Sequence, residues 1–259
     1  MLRALYSSAS GMESQQMNLD VIANNLANVN TTGFKKAKIE FQDLLYQTKR
    51  AAGAESGPGT QVPTSLQVGH GARPVSTAKI FTAGEIMSTG ERLDLAIHGN
   101  GFFKVTLADG TNAFTRDGGF KLDSTGQIVT SDGLPVTSFA GVTISPEATN
   151  VSISQTGIVS VTQNGTTSTA GSLVLSRFAN SAGLESIGAN LYRETPASGT
   201  EQTGEPSNAG MGTVQQGYLE LSNVKVVEEM VNLIKAQRAY EINSKAIQAA
   251  DEMMSMSNR

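Results

Sequence analysis

Residues 2–29 read LRALYSSASGMESQQMNLDVIANNLANV, and small or apolar side chains recur at Leu2, Leu5, Ala9, Met12, Leu19, Ala23 and Leu26, with Gln16 the one polar member. Alternating steps of three and four average 3.5 residues, the period of helices that pack along one another. The same rhythm returns at the other end through Val227, Met230, Leu233, Gln237, Tyr240, Ser244, Ile247, Asp251 and Met254. The spacing predicts a helix from Leu2 to about Val29, stopped at Asn30-Thr31-Thr32-Gly33, where a Gly favours leaving the helix. A second helix is predicted from Asn223, as N-cap, to Ser257, with Glu228 and Glu229 in the early turns where the helix dipole favours acids.

Between the ends the period changes to two. From Val68 to Phe178, short alternating runs such as Phe102–Leu107, Ala113–Arg116, Ile128–Thr130, Val151–Ile153 and Val159–Val161 are separated by Asp109-Gly110, Asp117-Gly118, Asp132-Gly133, Thr156-Gly157 and Asn164-Gly165. Asp-Gly and Asn-Gly supply the positive φ that tight reversals need. Strands at intervals of about 8–12 residues predict an antiparallel barrel or sandwich. Phe34–Tyr46 leaves strand and short helix both open. Thr48–Thr64, with Gly53, Gly57, Pro58, Gly59 and Pro63, reads as extended or loop chain.

The expected fold class is therefore α+β: long terminal helices pairing as a coiled-coil-like domain around an inserted all-β domain. The expected divisions are 1–33 with 222–259 as the helical assembly domain, 34–67 as an extended connecting segment, 68–195 as the β domain and 196–221 as a return linker.

Composition narrows the function classes. The 259 residues contain 19 Lys and Arg against 23 Asp and Glu, a formal charge of −4, and Lys35, Lys36 and Lys38 are the only basic cluster. A general nucleic-acid binder shows a broader basic face. With no cysteine there is neither a disulfide nor a thiol nucleophile. No apolar run approaches the ~18 residues of a membrane span, and the first residues lack the apolar core of a signal peptide, so neither membrane insertion nor a cleaved signal is expected. Only 5% of residues are aromatic and 16% charged, which fits a chain exported unfolded whose surface meets copies of itself.

The sequence offers little for catalysis. Gly69-His70-Gly71 and Gly99-Asn100-Gly101 begin like nucleotide loops but lack the third Gly and the helix pattern after it. His70 and His98 lie too far apart for a helical metal pair. Glu91 and Asp94 could be imagined as a hydrolytic carboxylate pair, yet Glu91-Arg92-Leu93-Asp94 reads better as a self-paired surface turn. A surface-binding β module would need an aromatic platform, and there is no Trp. No cofactor or metal is expected.

Ser10–Asn28, with Met12-Glu13-Ser14-Gln15-Gln16-Met17-Asn18-Leu19-Asp20 at its centre and Ala23-Asn24-Asn25-Leu26-Ala27-Asn28 at its end, resembles the N-terminal signature of bacterial flagellar rod and hook proteins. Gly101-Phe102-Phe103 with Phe114-Thr115-Arg116-Asp117-Gly118 is similar to a central motif of that family. Gln216-Gly217-Tyr218-Leu219-Glu220-Leu221-Ser222-Asn223-Val224, followed by Gln237-Arg238-Ala239-Tyr240-Glu241, is similar to its C-terminal motif. Length and the Phe41–Pro63 segment resemble the family's distal-rod members rather than the larger hook protein or the proximal rod proteins.

The resemblance implies a non-enzymatic subunit of a hollow helical shaft in the basal body, crossing the periplasm and transmitting torque to the hook. Its implied partners are further copies of itself, the proximal rod proteins, the hook protein and the cap scaffold, the P-ring and L-ring proteins, and the flagellar type III export apparatus. Leu5, Met12, Leu19, Leu26, Met230, Leu233, Tyr240 and Ile247, with neighbouring Asn24 and Asn25, are the expected assembly interface. Gly53, Pro58 and Pro63 mark an expected intersubunit segment.

Overall fold

The structure, a computed structural model, describes residues 2–57, 60–145, 148–163, 165–208 and 210–257. Pro58, Gly59 and Asn164 lie outside the described residues. The chain divides into two compact units: residues 1–26, 37–78 and 225–259 form unit 1, and residues 27–36 and 79–224 form unit 2. The fold class is α+β.

Unit 1 holds both helices. Helix α1 spans Leu2–Ala27 and ends two residues before the predicted Val29. Helix α2 spans Val226–Ser257, with Glu228 and Glu229 in its first turn as expected. Between the two in sequence, Ala37–Asp43 pairs with Ala72–Lys79, Tyr46–Arg50 with Leu66–Gly69, and Glu55–Gly57 with Thr60–Gln61. The segment from 34 to 46 is thus mainly strand. All five residues of Tyr46–Arg50 are exposed, so this ribbon buries almost nothing. Two-stranded ribbons are marginal in water without a covering layer.

Unit 2 has the core. Leu95, Ile97, Phe103, Val105, Val159, Leu173, Leu175 and Val214 are buried together. Strand Phe103–Thr106 pairs with Asn112–Thr115, which pairs with Leu191–Arg193 and then Glu185–Gly188. The reversal at Asp109-Gly110 is a tight turn with Gly110 at φ 81°, as the dipeptide predicts. Two strand pairs bring distant chain together: Leu95–His98 with Thr213–Gln216, and Ile86–Ser88 with Tyr218–Glu220. A second cluster of Phe102, Phe114, Phe178, Leu184 and Tyr192 packs its rings edge to face, the arrangement that places positive ring edges against negative faces.

Of the two forms expected for the β domain, barrel or sandwich, a closed barrel is not found. Among the described residues the strands fall into separate sheets of two to four strands, and none closes on itself. Many strands have only two to four residues, such as Lys121–Leu122 and Ile128–Val129, too few to maintain the continuous stagger that closure requires. Asp117-Gly118 also differs from prediction. Gly118 does not take a positive φ. It is needed for close approach, since a Cβ there would meet the Leu95 carbonyl oxygen.

Tyr192 gives this packing a pH signature. Burial raises its phenol to about 12, above an unfolded value near 10. A raised folded value means that the unfolded chain loses its proton first, so stability falls as pH climbs from 10 toward 12. Tyr192→Phe removes this linkage while keeping the ring. At pH 11 the parent should have lost about 1 kcal/mol more than the variant, relative to pH 9, in urea unfolding. Parallel pH profiles for the two proteins would contradict this assignment.

Candidate functional site

Three sequence-distant segments meet inside unit 2. Chain leaving α1 turns through Asn28–Gly33, and the Gly33 N–H donates to the Glu220 backbone carbonyl at 2.8 Å. Gly33 has φ +67°, and a Cβ would lie 2.5 Å from the Asp117 nitrogen, so both conformation and space require glycine here. Two residues on, Lys35 is fully buried. Its Nζ donates to Glu220 Oε1 at 2.5 Å and to the Thr82 carbonyl at 2.7 Å.

Arg116 completes the group. Its Nε lies 3.0 Å from Glu220 Oε2, and its Nη1 donates to the carbonyls of Gly99 at 2.9 Å and Gly101 at 2.7 Å. The Nε contact is an ion pair by distance, but Oε2 receives no hydrogen bond of good geometry. Glu220, 1% exposed, therefore takes its directed bonds through Oε1, from Lys35 and from the Gly84 N–H at 2.9 Å. Burial of two cations against one carboxylate sets the electrostatics. Desolvation pushes the Lys35 ammonium below its usual value, opposed by the Glu220 charge and reinforced by Arg116. Burial also lowers Lys79, whose Nζ sits 4.5 Å over the Phe34 ring.

Polar side chains continue the knot. Thr32 donates to Asp117 Oδ1 at 2.8 Å, and Asn190 donates to the Thr32 carbonyl at 3.0 Å. Asn223 accepts the Lys36 N–H at 2.7 Å and donates to the Ile80 carbonyl at 2.8 Å. The predicted N-cap role of Asn223 is thereby corrected: helix α2 begins only at Val226, because both ends of the Asn223 amide are already engaged across unit 2. The central and C-terminal motifs that carry the family resemblance thus supply Arg116 and Glu220 to one buried network, and Lys35, beyond the end of the N-terminal motif, completes it. Lys35 and Glu220 were not singled out as a pair by the sequence, where a Lys after Phe and a Glu in a short strand look solvent-facing.

The network is built for holding rather than turnover. Its carboxylate is closed from solvent and engaged by two cations. Asp94 accepts from Thr89 at 2.5 Å while Glu91 is exposed, so these two form a turn. His70 Nδ1 lies 2.9 Å from the Leu45 carbonyl. Among the described residues there is no group of three or more His, Cys, Asp or Glu placed to hold a metal, and no helix is long and apolar enough to cross a membrane.

In unit 1 the helices lie side by side. Asn25 donates to Glu229 at 3.3 Å, and a Cβ on Gly11 would meet the Asn243 side chain. Moving back along α1 moves forward along α2, so the pair is antiparallel. Asn25 is buried and also brackets Ala37, donating to its carbonyl at 2.8 Å and accepting its N–H at 2.9 Å. Asn24 is exposed; Leu5, Met12, Leu19, Leu26, Leu233 and Ile247 are half-buried; Met230 and Tyr240 are exposed. The most buried described α2 residues are Glu229, which accepts from Asn25, and Ala236 and Ala250, beside the predicted stripe and small enough for close approach. An outward stripe of Val227, Val231, Ile234, Ile242, Met253 and Met256 remains exposed. The sequence reading missed it because charged residues interrupt it at Arg238 and Lys245. In the connecting ribbon, Gly53 takes φ +81° and donates its N–H to the Val62 carbonyl at 2.8 Å, while Pro63 is exposed.

The terminal helices with their bare apolar stripe, the separate β unit and the buried Lys35–Glu220–Arg116 network belong to a chain that the family comparisons assign to the flagellar rod-and-hook class. Three family models match in chain order: flagella basal body rod protein over residues 5–35, flagellar hook protein FlgE/F/G D1 domain over 96–161, and flagellar basal body rod FlgEFG protein C-terminal over 215–259. The chain is 51% identical over 263 residues to the flagellar basal-body rod protein FlgG of Borreliella burgdorferi, covering 100% of this chain and 98% of that one. It is 50% identical over 256 residues to FlgG of Buchnera aphidicola subsp. Schizaphis graminum, with 98% of each chain covered. With FlgG of Bacillus subtilis the identity is 44% over 258 residues, covering 98% and 97%. The chain belongs to the FlgG family of flagellar basal-body rod proteins.

Proposed function

We propose that this rod subunit polymerises into the distal part of a hollow helical drive shaft that carries torque across the periplasm to the hook. The exposed stripe on α2 is the observation that carries the reading. A helix face with Val227 77%, Ile234 56% and Ile242 66% exposed is an interaction site by its chemistry. A heterologous, non-closing contact between identical subunits makes a helix rather than a ring. The two helices act as a coiled-coil-like assembly domain, with Leu5, Met12, Leu19, Leu26, Met230, Leu233, Tyr240 and Ile247 at the interface and Asn24 and Asn25 beside it. The segment containing Gly53, Pro58 and Pro63 works between subunits, since the strand Tyr46–Arg50 that leads into it is exposed throughout and cannot order it alone. Residues 196–221 return the chain to the helices.

Specific partners follow from the family: proximal rod proteins below, hook protein and cap scaffold above, the P and L rings around. The type III apparatus delivers the chain. The subunit is a building block with no enzymatic step. Electron microscopy of purified protein driven to polymerise tests the reading: hollow helical filaments are expected, whereas closed rings or monodisperse protein at all concentrations would refute it.

A further inference from the structure

We propose that the exposed face of α1 on one copy docks on the exposed stripe of α2 on the next, in a register set by two charge pairs. This rests on the polymer reading and names the partner of the stripe that carries it. Helix α1 exposes Glu13 and Asp20, seven positions apart, with Tyr6, Ala9, Met17 and Ala23 also exposed around them. The α2 stripe exposes Arg238 and Lys245, again seven positions apart, between Ile234 and Met253. Seven residues bring an α-helix back to nearly the same side, so each pair of charges projects in one direction. Among the described residues Glu13, Asp20 and Lys245 form no ion pair in their own chain. Arg238 meets Glu241 of its own helix at 2.8 Å, with both side chains exposed, and such a surface pair holds it only weakly.

The charges select the occupant. Two α1 faces would set acid on acid and two α2 stripes base on base, which electrostatics disfavours. Only α1 against α2 is matched, and it joins two different surfaces, the heterologous contact that propagates. Copies related by a helical operator point the same way along the axis, so α1 of one meets α2 of the next antiparallel, as the helices meet within the chain. Glu13 then faces Lys245, Asp20 faces Arg238, and the nearby Glu252 faces Tyr6 and so meets no acid. Within the chain Asn25 stands against Glu229 and Gly11 against Asn243, which puts Glu13 level with Glu241. The neighbouring α2 is thus shifted by four residues, about 6 Å of helix rise. A contact displaced along the axis does not return to its starting level, so it builds a helix rather than a ring.

A charge swap tests the register. One variant carries Glu13→Lys with Asp20→Lys, the other Arg238→Glu with Lys245→Glu. All four positions are exposed, so both proteins should keep the parental urea midpoint. Each variant alone sets like charges face to face, and at low salt its polymerisation threshold in sedimentation should rise about tenfold. Mixed in equal amounts, the two again present base to acid, and the mixture should sediment near the parental threshold. A single chain with all four changes should do the same. Where a reversal disturbs the fold, the neutral pair Glu13→Gln with Asp20→Asn gives a second readout: its threshold should depend less on salt than the parent's. Variants that each polymerise at the parental concentration, or a mixture and four-fold variant that fail to restore assembly, would overturn the register and leave the polymer reading intact. Failure of the parent chain to polymerise at all would overturn both.

Discussion

Glu220→Ala is expected to unfold unit 2 well before the parent. Lys35 is fully buried and Arg116 nearly so, and removing their shared carboxylate leaves two cations without a counter-charge in low dielectric. Breaking a buried pair in this way costs about 3–5 kcal/mol, a large part of a typical 5–15 kcal/mol total. In urea, followed by circular dichroism, the midpoint should fall by about 2 M. The Gly84 N–H also loses its acceptor. Lys35→Met combined with Glu220→Gln removes one stranded cation and restores a polar partner for Gly84 and Arg116, so it should recover much of the loss. An alanine variant with an unshifted midpoint would show that the network contributes nothing to the fold.

Ile242→Asp should separate assembly from folding. The side chain is 66% exposed on the outward stripe of α2, so in the monomer the change should move stability by no more than about 0.5 kcal/mol. In a polymer the carboxylate would be buried unpaired at every subunit, at a cost of several kcal/mol per site. Each 1.4 kcal/mol is tenfold in an equilibrium constant, so the concentration needed for polymerisation should rise at least a hundredfold. Ile242→Leu, similar in volume, should polymerise near the parental threshold. Leu19→Asp lies on the half-buried side of α1 and should weaken folding and assembly together. If sedimentation shows Ile242→Asp polymerising at the parental concentration, the outward stripe is not an assembly face.

What the sequence made legible was local. The 3.5-residue rhythm located α1 and α2 within a few residues, because such a period needs no knowledge of partners. Asp109-Gly110 announced its turn because φ > 0 is a property of the residue itself. The knot was hidden for the opposite reason. Glu220 sits in a three-residue strand whose neighbours Tyr218 and Leu219 are exposed and half-buried, and only the arrival of Lys35 and Arg116 makes its burial tolerable. Asn223 misled similarly: an Asn before an acidic helical run has the form of an N-cap, but its amide is held by Lys36 and Ile80. Barrel closure was also out of reach, since alternation defines two faces of a strand and says nothing of how many neighbours it has. The stripe that runs on from Val227 to Met256 was obscured because Arg238 and Lys245 interrupt it.

The knot also governs when unit 2 can exist. Lys35 and Glu220 are 185 positions apart, and the strand pairs 86–88 with 218–220 and 95–98 with 213–216 also join segments far apart in the chain. Non-local pairings of this kind must meet the loop-closure entropy before they give any return, and they slow folding accordingly. A nascent or threaded chain that lacks either the 33–35 turn or the 213–223 return has buried cations without their carboxylate or a carboxylate without its cations. No early compact intermediate is favoured, whichever end leads. Unit 2 should therefore complete its fold only when the last of these segments has arrived, and a truncation before residue 213 should leave it unfolded.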